Sequence, residues 1–141
     1  MARTYPKHEA KKRALQIPYD LSGRREFLLS ELKKYEGKTF HCKTIGANVI
    51  ITADSIDETA QKAAISRKAT KLCLFLPYII RNCNIVKLHL PTESKKQTSK
   101  FHFTDIGIFR CNVPKVGIAK IVIGCRNNGK AIEYAITDYQ A

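Results

Sequence analysis

The chain has 141 residues, of which 44% are hydrophobic, and this composition fits one folded domain and excludes a disordered chain. Its 25 lysine and arginine residues stand against only 12 aspartate and glutamate residues, so the formal net charge at pH 7 is +13. Solubility does not require so one-sided a charge, and the excess favours a polyanionic partner such as nucleic acid.

The first 20 residues are basic and irregular, and they lack the apolar stretch of a secretory signal. Four cations cluster there: Lys7, Lys11, Lys12 and Arg13. Although a short helix over residues 7–17 fits the sequence, no wide apolar stripe would hold it on a core. We therefore expect residues 1–20 to form a basic N-terminal arm and residues 21–141 to form a single α+β domain.

The first clear helical pattern covers residues 23–36, with Ser22 as the N-cap and Gly37 as the stop. A short strand pair is predicted next, over residues 39–44 and 49–52. The first of these runs alternates apolar with polar side chains, and the residues between the runs favour a turn. These segments open the domain with one helix and one strand pair.

Two further helices are predicted in the middle of the chain. The sequence from Ser55 to Glu58 has the form of a capping box, so the second helix is expected to begin with Ser55 as its N-cap. The third helix is expected from about Ala69. Pro77 must kink this third helix or begin a new turn, because proline has no backbone N–H to donate.

The remainder of the chain has the pattern of four strands, over residues 84–90, 101–113, 116–125 and 131–137. The third of them is the most apolar and is expected to lie centrally. We expect a bulge at residues 105–107 and a tight hairpin at the Asn-Gly pair 128–129. The last strand should place Ile132, Tyr134 and Ile136 on one face and close the sheet.

This order of elements predicts an α+β fold, in which N-terminal helices pack on a mainly antiparallel four-stranded sheet and a short N-terminal strand pair is added. Helical spacing and strand alternation also predict which side chains form the core. The predicted core comprises Leu28, Leu32, Ile56, Ala60, Leu72, Leu76, Ile80, Phe103, Ile121 and Ile123.

Five cysteines are dispersed along the chain: Cys42, Cys73, Cys83, Cys111 and Cys125. Because their number is odd and none forms a C-x-x-C pair, a disulfide framework and a zinc finger are both disfavoured. We expect reduced thiols and a cytoplasmic location. No membrane contact is predicted, since no apolar segment approaches the roughly 20 residues of a spanning helix.

Short stretches between residues 38 and 138 carry a resemblance to known proteins: residues 50–52, 66–68, 76–82, 101–109 and 130–134. With the order of elements, they resemble the superfamily that unites barnase, EndoU, the tRNA-cleaving colicins and the RelE-like ribonucleases. More narrowly, they are similar to the phage and mobile-element domains associated with large polyvalent proteins. The resemblance implies helices on one side of a four-stranded antiparallel sheet, in a superfamily whose members vary or lose their catalytic residues.

Enzymes that cleave RNA without a metal need a general base, a general acid and cations for the phosphorane. The best-placed candidates are His102 as the base, Thr104 to orient it, and Arg110 to stabilise the phosphorane charge. Because His102 alternates with two phenylalanines, it should face the open side of the sheet. His89 in the neighbouring strand is the next candidate base.

Nucleic-acid contacts are predicted mainly at cations of the arm, the helices and the long polar loop. The predicted contacts are Lys7, Lys11, Lys12, Arg13, Lys62, Arg67, Lys68, Lys71, Lys95, Lys96, Lys100, Arg126 and Tyr134. Each of them alone is also consistent with an ordinary solvated residue. The chain has no phosphate-binding loop, dinucleotide fingerprint, zinc-protease motif or nucleophile elbow, so no cofactor and no metal site are predicted.

Three functions are consistent with the sequence. The favoured one is a small basic protein of ribonuclease-like fold that binds nucleic acid, RNA in preference to DNA, without efficient catalysis. The alternative is an active, metal-independent endoribonuclease, such as a toxin or a phage effector. The third is a protein-interaction module of a mobile element, with a protein as its partner.

Overall fold

The computed structural model describes residues 7–89, 105–126 and 130–139. In chain order, its elements are α1 (Lys7–Ala14), α2 (Leu21–Leu32), a 3₁₀ turn (Lys33–Tyr35), β1 (Thr39–Cys42), β2 (Ala47–Ile50), α3 (Ala53–Ala63), α4 (Arg67–Cys73), α5 (Leu76–Asn82), β3 (Asn84–His89), β4 (Asp105–Val113), β5 (Gly117–Cys125) and β6 (Ala131–Asp138). None of the helices in these described ranges is long and apolar enough to cross a membrane.

The six described strands form one mixed sheet in the order β1-β2-β6-β5-β4-β3. The α+β class is confirmed, but the predicted four-stranded sheet is not matched in detail. The N-terminal strand pair is part of the same sheet, because Val49 and Ile50 of β2 pair in parallel with Ala131 and Ile132 of β6. The last strand therefore lies inside the sheet. Its residues 131–136 are all buried, as an interior strand requires.

The first helix of the domain begins earlier than predicted. Asp20, not Ser22, is the N-cap of α2, and its carboxylate accepts a 2.9 Å hydrogen bond from the N–H of Gly23. Both residue types cap helices well, so the sequence pattern does not choose between them. The predicted stop at Gly37 is too late for the α-helix, because α2 ends at Leu32 and a 3₁₀ turn follows to Tyr35. Gly37 comes after this turn with a φ of +81°, a left-handed conformation that glycine adopts without strain.

The middle helices also begin earlier than the patterns indicated. Thr52 is the N-cap of α3, and Ser55 is the third residue of the helix, where the two side chains cap each other's backbone N–H groups. The predicted N-cap role of Ser55 is therefore wrong. The predicted third helix is two helices, α4 capped by Ser66 and α5 with Pro77 in its first turn. A proline costs no helical hydrogen bond there, so the prediction of a new turn is confirmed.

The predicted bulge at residues 105–107 is wrong, because β4 pairs with β5 residue for residue from Asp105 to Val113. Bulges occur instead at Val86 in β3 and at Tyr134 in β6, where each strand has one residue more than its partner. A bulge shifts the alternation of side chains along the strand that contains it. Consequently, the register of β4 stays intact across the centre of the sheet, whereas its neighbour β3 and the interior strand β6 are interrupted.

The bulge in β6 also changes which face its side chains occupy. Ile132 and Tyr134 belong to a small apolar cluster on one face, whereas Ile136 belongs to the main core on the other. The prediction that all three share a face is therefore wrong. The hairpin predicted at residues 128–129 lies outside the described residues, although the N–H of Arg126 donates a 3.0 Å bond to the carbonyl of Lys130 beside it.

The main core lies between the helices and one face of the sheet, here called the inner face. Nine of the ten predicted core residues are buried: Leu28, Leu32, Ile56, Ala60, Leu72, Leu76, Ile80, Ile121 and Ile123. The tenth, Phe103, lies outside the described residues. The opposite face, here called the outer face, carries a smaller apolar cluster that includes Ile106 and Ile132. Beyond this cluster, the outer face carries polar side chains.

Residues 7–20 of the predicted arm contact the domain. Ala10 and Ile17 are buried in the main core, and Arg13 forms an ion pair with Glu31 of α2. The side chain of Arg67 in α4 donates a 2.8 Å hydrogen bond to the carbonyl of Ile17. These contacts place α1 beside α2 and the segment after α1 beside α4, although the role of residues 1–20 as an arm stays a prediction.

All five cysteines are free thiols, and four of them are buried. The predicted absence of a disulfide framework is therefore confirmed. The Sγ atoms of Cys42 and Cys83 lie 3.7 Å apart inside the core. Burial raises the pKa of the Cys111 thiol to about 11 and raises the pKa of Cys83 as well, so both are inert thiols at neutral pH.

Candidate nucleic-acid interface

The outer face of the sheet carries an open groove of about 420 Å³. We call it the outer groove, and its lining residues are Val86, Lys87, Ile108, Lys120, Thr137, Asp138 and Tyr139. It therefore crosses strands β3 to β6 on the face that the helices leave uncovered.

Strand register explains why polar side chains meet at this groove. Arg110 of β4 lies opposite Lys120 of β5, and Lys120 lies opposite Thr137 of β6. Neighbouring strands are about 4.8 Å apart, so these three side chains form a row across the sheet. Asn84 of β3 lies opposite Arg110 and extends the row to a fourth strand.

An arginine and an aromatic ring pack together beside the outer groove. The guanidinium carbon of Arg110 lies 5.8 Å from the ring centroid of Tyr139, which is cation–π distance. The N–H of Tyr139 donates a 2.8 Å hydrogen bond to the carbonyl of Ile118, and this bond fixes the backbone after β6 against β5. The ring is thereby held in position at the end of the groove, with the exposed Arg110 over it.

Positive charge dominates this part of the outer face. Lys87 and Lys120 line the groove and Arg110 stands beside it, whereas Asp138 is the one carboxylate among the described lining residues. Within the described ranges, neither lysine nor Arg110 forms an ion pair. Cations that outnumber the acidic side chains near them favour a bound anion, and a phosphate backbone carries many negative charges.

A second basic cluster lies where α1 meets α4, and we call it the corner cluster. Tyr19 is 87% exposed, and the guanidinium carbon of Arg67 lies 4.7 Å from its ring centroid. Arg67 is fixed in this position because it also donates to the carbonyls of Ile17 and Pro18, at 2.8 and 3.2 Å. An exposed tyrosine stacked on an immobilised guanidinium presents one free ring face to a ligand.

The corner cluster brings together predicted contacts from distant parts of the sequence. Arg67 and Lys71 of α4 line a groove of about 400 Å³ together with Ala14, Leu15 and Ile17, which follow the cations of α1. Lys68 lies on the same helix and Lys12 is exposed on α1. Three of the predicted cations, Arg67, Lys68 and Lys71, therefore lie on α4 at or beside this corner.

Two other predicted contacts make structural interactions. The Tyr134 ring is only 8% exposed, and its hydroxyl donates a 3.0 Å hydrogen bond to Glu58 of α3. Lys62, one turn further along α3, lies 3.4 Å from Glu58 and 5.7 Å from the Tyr134 centroid. This trio holds α3 on β6 and lies apart from the lining residues of the outer groove. A third predicted contact, Arg126, is half-buried and directly follows β5.

Two residues of the predicted catalytic site, His102 and Thr104, lie outside the described residues. The same holds for three predicted nucleic-acid contacts, Lys95, Lys96 and Lys100. The structure describes only the backbone of Lys7, Lys11 and His89. Of the predicted catalytic group, the structure places Arg110 alone, on the outer face as the alternation indicated.

Lys120 and Tyr19 are functional candidates that the sequence analysis does not select. A signal for Lys120 exists, because it is the one charged residue within the apolar β5. Tyr19 lies between Pro18 and Asp20. No local sequence pattern predicts its contact with Arg67, because the two residues are distant in the chain.

One buried carboxylate lies away from both clusters. Glu133 is on the inner face of β6, and the hydroxyl of Thr59 donates a 2.7 Å hydrogen bond to its Oε2. Burial raises the pKa of Glu133 to about 8, although the bond from Thr59 acts in the opposite direction. In the described part of the chain, no group of three or more His, Cys, Asp and Glu side chains is arranged to hold a metal ion.

Comparison with protein families, with curated proteins and with solved structures finds no match for this chain. The resemblance to the ribonuclease-like superfamily stays a prediction.

Proposed function

We propose that this protein binds nucleic acid, RNA in preference to DNA, through the outer face of its sheet and without efficient catalysis. The observation that carries the proposal is the outer groove, which is lined by Lys87, Lys120 and Tyr139 and has the guanidinium of Arg110 packed on the Tyr139 ring. Proteins that bind single strands combine a cationic track for the backbone with aromatic side chains on which bases stack. The outer groove has both of these parts.

RNA is favoured because sequence-specific RNA recognition uses unpaired bases stacked on aromatic and arginine side chains of a sheet or loop. Binding without efficient catalysis is favoured by the described lining residues, which include no histidine and have Asp138 as their single carboxylate. The groove as described thus holds cations and a ring, but no pair of side chains for proton transfer.

The test is equilibrium binding of a fluorescent single-stranded RNA, followed by anisotropy over a series of salt concentrations. We expect log affinity to fall linearly with log salt, because phosphate contacts release counterions. Arg110→Ala and Lys120→Ala should each weaken binding and reduce this slope by about 1. The matched control is Lys38→Ala, which removes one exposed charge just before β1 at the far edge of the sheet.

Equal binding by Lys120→Ala, Arg110→Ala and the Lys38→Ala control would show that the outer groove is not the interface. The same RNA, incubated with the protein in EDTA and resolved on a gel, tests the absence of catalysis. Cleavage products that end in a 2′,3′-cyclic phosphate would replace the binding function with the endoribonuclease alternative.

A further inference from the structure

The outer groove and the corner cluster meet at one end of the sheet, although they lie on opposite sides of it. The start of β5 connects them. Ile118 accepts the hydrogen bond from Tyr139 on the outer face. The preceding residue, Gly117, lies against Lys68 of α4, because a Cβ atom added at Gly117 would stand 2.5 Å from Cε of Lys68. Two adjacent residues of β5 therefore contact the two surfaces: Ile118 contacts Tyr139 of the outer groove, and Gly117 contacts Lys68 of the helix layer.

Six cations lie on the elements at this end of the sheet, namely β4, β5, the turn between them and α4. In order from the outer face to the helix layer, they are Arg110, Lys120, Lys115, Lys68, Arg67 and Lys71. We call these six residues the cationic band. Among the described residues, the ion pairs are Arg13–Glu31 and Lys62–Glu58, so no member of the band is neutralised by one.

An aromatic ring stands at each end of the cationic band, and an arginine packs on each ring. Tyr139 contacts Arg110 on the outer face, and Tyr19 contacts Arg67 on the helix layer. Rings of this kind stack on a base of any identity, and a neighbouring arginine adds a cation–π contribution. Lys115 lies in the β4–β5 turn, and Lys68 lies against Gly117 at the start of β5.

We propose that a single strand of nucleic acid follows the cationic band around the end of the sheet, with one base stacked on Tyr139 and another on Tyr19. This inference rests on the proposed function and specifies its ligand as unpaired. A duplex has a persistence length of about 150 base pairs and does not bend around the end of a domain of this size without a large deformation cost. A single strand bends freely and contacts both sides.

The experiment compares strand lengths. We would measure the affinity of the protein for single-stranded RNA of about 5 and about 15 nucleotides, sizes that span the usual range for one binding domain. The longer strand should bind at least about tenfold more tightly, because its second contact forms within the same complex. A duplex of the longer length should show no comparable gain.

Variants then separate the two ends of the band. Tyr19→Ala should weaken binding of the long strand by about 5- to 100-fold, the range for loss of one base stack, with little effect on folding because Tyr19 is exposed. The double variant Lys68→Ala/Lys71→Ala should remove the advantage of the long strand. The matched control, Lys33→Ala/Lys34→Ala, removes two exposed charges from the 3₁₀ turn and should leave that advantage in place.

The possible failures are distinguishable. If Tyr19→Ala and Lys68→Ala/Lys71→Ala bind the long strand like their control, while Lys120→Ala still weakens it, the path around the sheet is wrong and the proposed function stands. A duplex that gains as much as the single strand would also overturn the path. If the wild-type protein binds neither length at low salt, both proposals fall together.

Discussion

The hydroxyl of Thr59 donates a 2.7 Å hydrogen bond to Oε2 of Glu133, and both side chains are fully buried between α3 and β6. Around this pair, Ile123 lies opposite Glu133 on β5, and the buried thiol of Cys73 lies on α4. Burial raises the pKa of the Cys73 thiol, and the nearby Glu133 adds to this effect. Within the described residues, Oε1 of Glu133 has no hydrogen-bond partner. A carboxyl in this setting is stable only in its neutral form.

The stability of the protein should therefore fall as pH rises. Burial raises the pKa of Glu133 from 4.5 to about 8, so between these values the unfolded chain has lost a proton that the folded chain retains. The free energy of unfolding should drop across this window by up to about 1.4 kcal/mol per pH unit from this group. Below pH 4.5 the group is neutral in both states and has no effect on the slope.

Urea unfolding at several pH values between 5 and 8 measures this slope. Glu133→Gln keeps an acceptor for Thr59 and cannot ionise, so it should flatten the pH dependence and be more stable than the wild type at the upper end. Identical slopes for the wild type and the variant would mean that Glu133 does not titrate in this range.

Truncation of the central core leucine should be costly. Leu76 is fully buried at the start of α5, so Leu76→Ala should lower the free energy of unfolding by about 2–5 kcal/mol. The control is Leu15→Ala, at a side chain that is 85% exposed, and it should change stability by less than about 0.5 kcal/mol. Comparable losses for the two variants, measured by urea unfolding, would contradict the placement of Leu76.

Thiol reactivity should divide the cysteines into two groups. A thiol reagent should count five thiols in denatured, unreduced protein, because all are free. In the native protein, Cys125 should react first, since it is the half-buried one, and the four buried thiols should react only as fast as the protein opens. Simultaneous reaction of all five under native conditions would show that the core is not closed around them.

Gly117 should not tolerate a side chain. Its φ is +153°, a conformation that L side chains rarely adopt, so Gly117→Ala should cost about 1–3 kcal/mol of stability. The added Cβ would also displace the flexible end of Lys68, at a smaller cost. The variant Gly117→Ala/Lys68→Ala removes the steric contact and should recover part of that loss. A double-mutant cycle with no coupling between the two sites would show that Lys68 does not pack on the turn.

The sequence predicted those parts of the fold that depend on periodicity within one element. Leu76 and Ile80 follow helical spacing within α5, so their burial was predictable. The parallel pairing of Val49 with Ala131 was not, because no local pattern encodes a partner so distant in the chain. The same holds for the Tyr134 bulge, which depends on how β5 and β6 fit together.

The candidate interface also has parts that local sequence patterns predict and parts that they do not. The outward direction of Arg110 was predictable, since β4 alternates without interruption from Asp105 to Val113. The contact of Arg67 with Tyr19 was not predictable, because it forms only when α4 packs against the segment after α1. Charge composition indicated a polyanionic partner, but only the folded chain shows which cations become neighbours.

The parallel pair of β2 and β6 has a consequence for how the chain reaches its native state. The strand at residues 131–138 is the sixth in sequence, yet it lies between β2 and β5 and contributes Ala131 and Ile136 to the main core. During synthesis, the β1–β2 pair and the earlier helices therefore emerge before the strand that joins them to β5. Contacts this distant in sequence slow folding, so an incomplete nascent chain should expose the edge of β2 until residues 131–138 leave the ribosome.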